Sequence, residues 1–185
     1  MQMKDPVRYF SNLILHSSRL DLIPFCQMDD DLRMHEIFTH AAVKKHLWDD
    51  RILSMQESKE IFIKNKQYFE ENGWGLWKAT LVSNNDWVGF AGLWPFFEEK
   101  NPQLIYGLLP PFWHRGFATE AARKVIGYAF TVLHFEYLIA SFDTDNILSG
   151  KVTERLGMHF TETKVINKKS TEFYRIDKKD FNAIK

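Results

Sequence analysis

A single cysteine, Cys26, is all that the 185 residues hold. No disulfide can close within the chain, which excludes the small disulfide scaffolds and fits a reducing, cytoplasmic compartment. An excess of charge of one sign is missing too: 24 basic and 24 acidic residues cancel. That balance removes any global pull toward nucleic acid or an anionic membrane, and leaves room for a local basic site. No run approaches the ~18 apolar residues of a membrane span. The first residues, MQMKDPVRYF, lack the basic-then-apolar layout of a secretory leader. There is no internal repeat and no low-complexity linker. The seven histidines contain no H-x-x-x-H pair, so no metal is expected. The expectation is a soluble, cytoplasmic protein folded as one domain over residues 1–185, with no nucleic-acid or membrane partner.

What is abundant is aromatic: sixteen Phe and six Trp imply a bulky core or a ring-lined pocket. Asn12 to Phe25 holds two short strands around Ser17 and Ser18, with Arg19 to Leu22 alternating. MDDDLRMHEIFTHAAVKKHLW reads as one helix, with Asp29, Asp30 and Asp31 at its positive end. Ser54 and Glu57 form a capping box, Ile61, Tyr68 and Phe69 carry an apolar stripe, and Gly73 closes that helix.

Three strands follow, WGLWKATLV, WVGFAGLWPF and QLIYGLLP, and then an amphipathic helix from about Ala118 to Phe130. EYLIASF is apolar almost throughout and reads as a strand buried on both faces. Asn146 to Leu156 is a short helix capped by Asp145 or Asn146 and stopped by Gly157. The tail reads as a hairpin turning near Asn167 to Ser170. The fold class is α/β (α+β): a mixed, mostly antiparallel sheet with a strand-helix-strand crossover at its centre.

The most informative stretch is LIYGLLPPFWHRGFATEA. A strand gives way to a loop, Pro110 to Arg115, and a helix begins near Gly116 or Ala118. A first helical turn has free N–H groups and a partial positive charge, so it suits phosphate. Gly116 admits close approach of an anion, and Arg115 and a protonated His114 add charge. The spacing is neither that of a Walker loop nor that of G-x-G-x-x-G.

QLIYGLLPPFWHRGFATEAARKVIGYAF resembles the acyl-CoA-binding motif of the GNAT superfamily of N-acetyltransferases, most nearly its RimJ/RimL branch. Tyr106, Leu108, Pro110, Trp113, Gly116, Ala118, Thr119, Glu120 and Ala121 fall in step. DTDNILSGKVTERLGMHF is similar to a second motif through Asn146, Ser149, Val152, Glu154, Arg155, Leu156 and Gly157. The resemblance implies a sheet with a central splayed parallel strand pair and flanking helices. It implies acetyl-CoA as donor, CoA as product, and direct attack of an amine without an acyl-enzyme. Pantetheine would pair near Gly107 and Leu108, and the pyrophosphate would lie on His114, Arg115, Gly116, Phe117, Ala118 and Thr119. Asn146 and Ser149 would stand near the thiol, with Ser149 as its proton donor. The chain departs from the pattern at His114 (a glycine in the family), at Gln103 (often glutamate) and at Thr153 (often tyrosine).

An attacking amine must be neutral, and an α-amine, with a pKa near 8, needs less help than a lysine-like one near 10.4. Glu98, Glu99, Asp143 and Glu36 are the candidate bases. A backbone N–H near Leu108 would hold the oxyanion. Glu120 and Glu154 read as structural or surface charges, Tyr106 as core within reach of the cleft, and His40, His46 and Lys168–Lys169 as solvated groups. The acceptor, a protein N-terminus or a small-molecule amine, would meet the loops Trp48–Ser54, Trp94–Pro102 and Asn167–Ser170. A monomer and a homodimer both fit. A catalytically silent acyl-CoA-binding module is the alternative, motivated by Gln103 and Thr153. An ATP-binding protein using the same helix end is a third reading.

Overall fold

The computed structural model describes residues 10, 12–28, 30–96 and 101–183. The expectations placed on the N-terminal segment, Asp29, Glu98 and Glu99 lie outside them.

The first sheet has five antiparallel strands in chain order: β1 (Leu15–His16), β2 (Leu20–Pro24), β3 (Leu76–Leu81), β4 (Trp87–Trp94) and β5 (Gln103–Leu108). The second has three, ordered β6-β8-β7: β6 (Tyr137–Asp143), β7 (His159–Ile166) and β8 (Lys169–Asp177). Helices α1 (Asp30–Thr39), α2 (Ala41–Lys44) and α3 (Met55–Asn72) join β2 to β3. Helix α4 (Phe117–Thr131) joins β5 to β6, α5 (Ile147–Arg155) joins β6 to β7, and α6 (Lys178–Ala183) follows β8.

The two sheets meet at β5 and β6. Asn101 Nδ2 donates to Tyr137 O at 3.5 Å, and Ser141 Oγ donates to Gln103 Oε1 at 2.7 Å. Both strands therefore run the same way past each other. No backbone ladder joins them among the described residues, so the splayed pair divides the expected mixed sheet into two hydrogen-bonded sheets.

Strand β4 is buried on both faces along nearly its whole length. Val88, Ala91 and Leu93 join a core with Val125, Ile126, Ala129 and Phe130 of α4, while Phe90 and Trp94 pack with Met34, Ile37 and Phe38 of α1. That double burial was expected of β6. Only Leu138 and Ala140 of β6 are buried, in the core they share with Val125, Ile126 and Ala129 of α4. The long helix expected over residues 28–48 is broken at His40. Thr39 Oγ1 turns back onto His35 O at 2.7 Å, and His40 Nδ1 caps α2 by accepting from Ala42 N.

Local chemistry explains the remaining boundaries. The Ser54–Glu57 capping box starts α3, and Gly73, at φ 74°, ends it. The face of α3 turned inward carries Asn65, fully buried. Its amide accepts from Leu76 N at 2.6 Å and donates to Phe25 O at 3.0 Å, so one side chain closes the ends of β2 and β3. No helix among the described residues is long and apolar enough to cross a membrane.

Candidate active site

The loop after β5 is built by backbone strain and two indole and guanidinium clamps. Pro110–Phe112 forms a single 3-10 turn, and Trp113 Nε1 donates to Leu108 O at 2.7 Å. His114 takes φ 58° and Gly116 takes φ 80°, both left-handed. A glycine would adopt the His114 conformation at lower cost. Helix α4 then opens on the Glu120 N to Gly116 O bond, 3.0 Å. The N–H groups of Phe117, Ala118 and Thr119 precede that ladder and are free for an anion. A Cβ on Gly116 would stand 3.5 Å from Arg19 Nη2, an ordinary contact.

Glu120 secures this loop to the β1–β2 turn. Its Oε1 accepts from Ser17 Oγ, Ser18 Oγ and Arg19 N, and its Oε2 from Arg19 Nε at 2.7 Å and Nη2 at 2.6 Å. Arg19 Nη1 also donates to Arg115 O at 3.1 Å, and its guanidinium lies 4.4 Å from the Phe117 ring centre. Burial works against the Glu120 charge, but the bonds from Ser17, Arg19 and Ser18 outweigh it and hold the carboxyl below its usual range. Glu120 is therefore structural, as its helical position suggested. Arg19 was read only as a strand residue; its partner lies 101 residues away, so no local pattern announces the pair.

A cavity of about 670 Å³ opens beside this loop, between β5, α4 and α5. Gly107, Leu108, His114, Gly116, Phe117, Ala118 and Thr119 all border it, as do Asn146 and Ser149. Arg115 does not; its guanidinium stacks 5.0 Å from the Phe117 ring centre. Thr119 Oγ1 is buried here without a hydrogen-bond partner. Lys45 and Lys151, which no motif reading singled out, and Arg155 of the second motif add positive charge to the wall. An orphaned buried hydroxyl, free helix N–H groups and three basic side chains fit the phosphates of acetyl-CoA.

Asn146 caps α5, its Oδ1 accepting from Ser149 N at 3.2 Å. Tyr106 OH donates to Ser149 O at 3.2 Å. Burial drives the Tyr106 phenol well above its usual range, against a lesser opposing effect of its bond to Ser149, so it remains protonated. Thr153 is buried and donates to Gly150 O at 2.8 Å, which commits its hydroxyl to the helix. Cys26 borders neither this cavity nor the next, and burial, reinforced by Asp30, pushes its thiol up to about 12.

A second cavity, about 320 Å³, lies between β5, β6 and the turn at Trp48–Asp50. It shares a wall with the first: His46, Leu47, Tyr106, Asn146 and Ser149 border both. Two of its donors, Gln103 Nε2 and Trp48 Nε1, are buried without partners. Of the candidate bases, Asp143 borders this cavity, whereas Glu36 is exposed on α1 and borders neither. The His46 side chain, expected on a helix surface, is only 19% exposed, with Nδ1 3.6 Å from Asp145 Oδ1 and 3.9 Å from Asp143 Oδ2. Leu47 anchors in the core next to it and draws His46 inward. Lys169, read as a solvated turn residue, reaches Asp143 Oδ2 at 3.2 Å.

The acetyltransferase (GNAT) domain family model matches residues 19–159. FsC-acetyl coenzyme A-N(2)-transacetylase of Aspergillus fumigatus is 30% identical over 166 residues, 80% of this chain and 66% of that protein. The Bacillus subtilis protein YkkB, described as uncharacterized, is 32% identical over 97 residues, 50% of this chain and 56% of its own length. The chain thus spans less than two thirds of either relative. Among solved structures, RimL, a ribosomal L7/L12 alpha-N-protein acetyltransferase in complex with coenzyme A, shares the fold with TM-score 0.70 at 16% identity, over 89% of this chain and 97% of that one.

Proposed function

From the premise that this chain belongs to the acetyltransferase (GNAT) family, we propose that it is an N-acetyltransferase moving acetyl from acetyl-CoA to a primary amine by direct attack in a ternary complex. The observation that carries this reading is the shared wall. One cavity suits a phosphorylated donor, a second adjoins it, and Tyr106, Asn146 and Ser149 stand where they meet. In this reading the pyrophosphate rests on the Gly116–Thr119 turn and pantetheine runs along β5 at Gly107 and Leu108. The thioester is then delivered to Ser149. When bound, acetyl-CoA supplies the activated acyl group. The chain supplies position, exclusion of water, and a Ser149 hydroxyl to protonate the departing sulfur.

The second cavity receives the acceptor. Buried donors without partners on Gln103 and Trp48 favour an acceptor that brings oxygen, since an unmet buried donor costs about 1–3 kcal/mol. Asp143 offers negative charge for the incoming ammonium. An amine with a nearby carbonyl meets both demands, as in a protein N-terminus or a small amino compound; a polyamine brings only donors. The likeness of the Asn146–Gly157 segment to the RimJ/RimL branch supports the α-amine. Residues 1–185 act as one cytoplasmic domain in this reading, as monomer or homodimer.

Thiol release from acetyl-CoA tests the reading. A peptide with a free α-amine should be acetylated faster than the same peptide blocked at its N-terminus, and faster than spermidine. Equal or better use of spermidine would overturn the acceptor assignment, and CoA binding without turnover on any amine would favour the silent module.

A further inference from the structure

Resting on the acetyl-transfer reading above, we propose that His46 is the general base that takes the proton from the acceptor amine. His46 follows α2, held between Val43 and Leu47, which are both buried. It is one of the residues bordering both cavities, so it stands where amine and thioester must meet. Its Nδ1 is the buried nitrogen and has no hydrogen-bond partner. Asp145 Oδ1 at 3.6 Å and Asp143 Oδ2 at 3.9 Å lie on that side. With Nδ1–H turned to these carboxylates, the Nε2 lone pair is left for the cavity side. A small rotation brings Nδ1 into hydrogen-bond range, and such bonds commonly tighten when substrate binds.

The other titratable groups around the junction are less suited. From β5, Tyr106 keeps its proton. From β8, Lys169 pairs with Asp143 at 3.2 Å and offsets its charge. Asp145, in the turn after β6, is 71% exposed and borders only the donor cavity. Lys45, beside His46 in sequence, borders that cavity as a cation. An imidazole is the side chain whose ordinary titration is nearest neutral pH, where a general base works best.

The step balances as follows. The acceptor ammonium gives one proton to His46 Nε2. The freed nitrogen pair forms the N–C bond to the thioester carbonyl, and the π pair moves to oxygen. Collapse restores the carbonyl and breaks the C–S bond. Ser149 hands its proton to sulfur as it receives the second proton from nitrogen. Amide and CoA thiol leave, and the imidazolium returns one proton to water.

The experiment uses the full chain with His46→Gln and His46→Ala, a free α-amine peptide and acetyl-CoA, from about pH 6 to about pH 10. In both variants kcat at neutral pH should fall on the order of 10²-fold or more, the acidic limb of the kcat/KM profile should keep only the amine's own titration at about pH 8, and imidazole should restore activity to His46→Ala. CoA affinity by calorimetry should stay within about twofold, because the phosphate cradle is untouched. Variants that keep CoA affinity, the wild-type rate and the wild-type pH profile would overturn the assignment while leaving acetyl transfer standing. Loss of wild-type activity to a chelator, restored by a divalent metal, would also overturn it, because the His46–Asp143–Asp145 trio would then be holding an ion. A wild type without turnover on any amine would overturn both readings together.

Discussion

Glu120→Gln should loosen the loop between β5 and α4 without touching the cavity wall. The carboxylate accepts from Ser17, Ser18 and three nitrogens of Arg19. An amide in its place puts an NH₂ against Arg19 Nε or against the Ser17 and Ser18 hydroxyls and Arg19 N. A charged hydrogen bond is worth about 1.5–3 kcal/mol. Arg19 is 48% exposed, so solvent reduces that value. A loss of about 2 kcal/mol is expected, which in a chain of this size lowers Tm by about 4–8 °C. Because Arg19 also holds Arg115 O, CoA affinity should fall with it. Thermal unfolding by circular dichroism and calorimetry with CoA read the two effects. The pH dependence follows from the lowered carboxyl: its stabilisation is full above the ordinary value of 4.5 and is lost as pH falls through the lowered one. Glu120→Gln should therefore approach the wild type in stability at acid pH. A variant melting within about 1 °C of wild type at neutral pH would refute the clamp.

Gly116→Glu should cut CoA affinity by about 10²-fold or more, roughly 2.7 kcal/mol, while the fold survives a strain of about 1–2 kcal/mol, since its Cβ meets only an ordinary contact. Calorimetry at near-wild-type affinity would relocate the phosphate site. Ser149→Ala should lower kcat by at least about tenfold with CoA affinity nearly unchanged, because Asn146 caps α5 through the Ser149 backbone. Asn65→Leu should cost about 3 kcal/mol in urea unfolding, as Leu76 N and Phe25 O lose a buried partner.

What could be read in advance was local. The Ser54–Glu57 box, Gly73, the cap expected at Asp145 or Asn146 and the turn expected near Asn167 to Ser170 each depend on neighbours within a few residues; Asn146 is the cap, and the turn is Asn167–Lys168 with Lys169 and Ser170 opening β8. The local shape of the loop after β5 was legible for the same reason: a strand end, a glycine at φ 80° and a helix start are contiguous. Contacts between distant segments were not legible. Arg19 meets Glu120 only because the β1–β2 turn reaches α4, and His46 meets Asp143 and Asp145 only because the end of α2 reaches the end of β6. The apolar run of β6 is as hydrophobic as that of β4, and which one is covered twice depends on where the helices pack. Asn65 gave no sign of burial because its partners are backbone groups of β2 and β3.

Mass spectrometry of a free α-amine peptide after incubation with acetyl-CoA and the protein tests acetyl transfer most directly. The account predicts one added acetyl group, mapped to the α-nitrogen, and none with Gly116→Glu. CoA bound by the protein, with every amine in the mixture left unmodified, would contradict it.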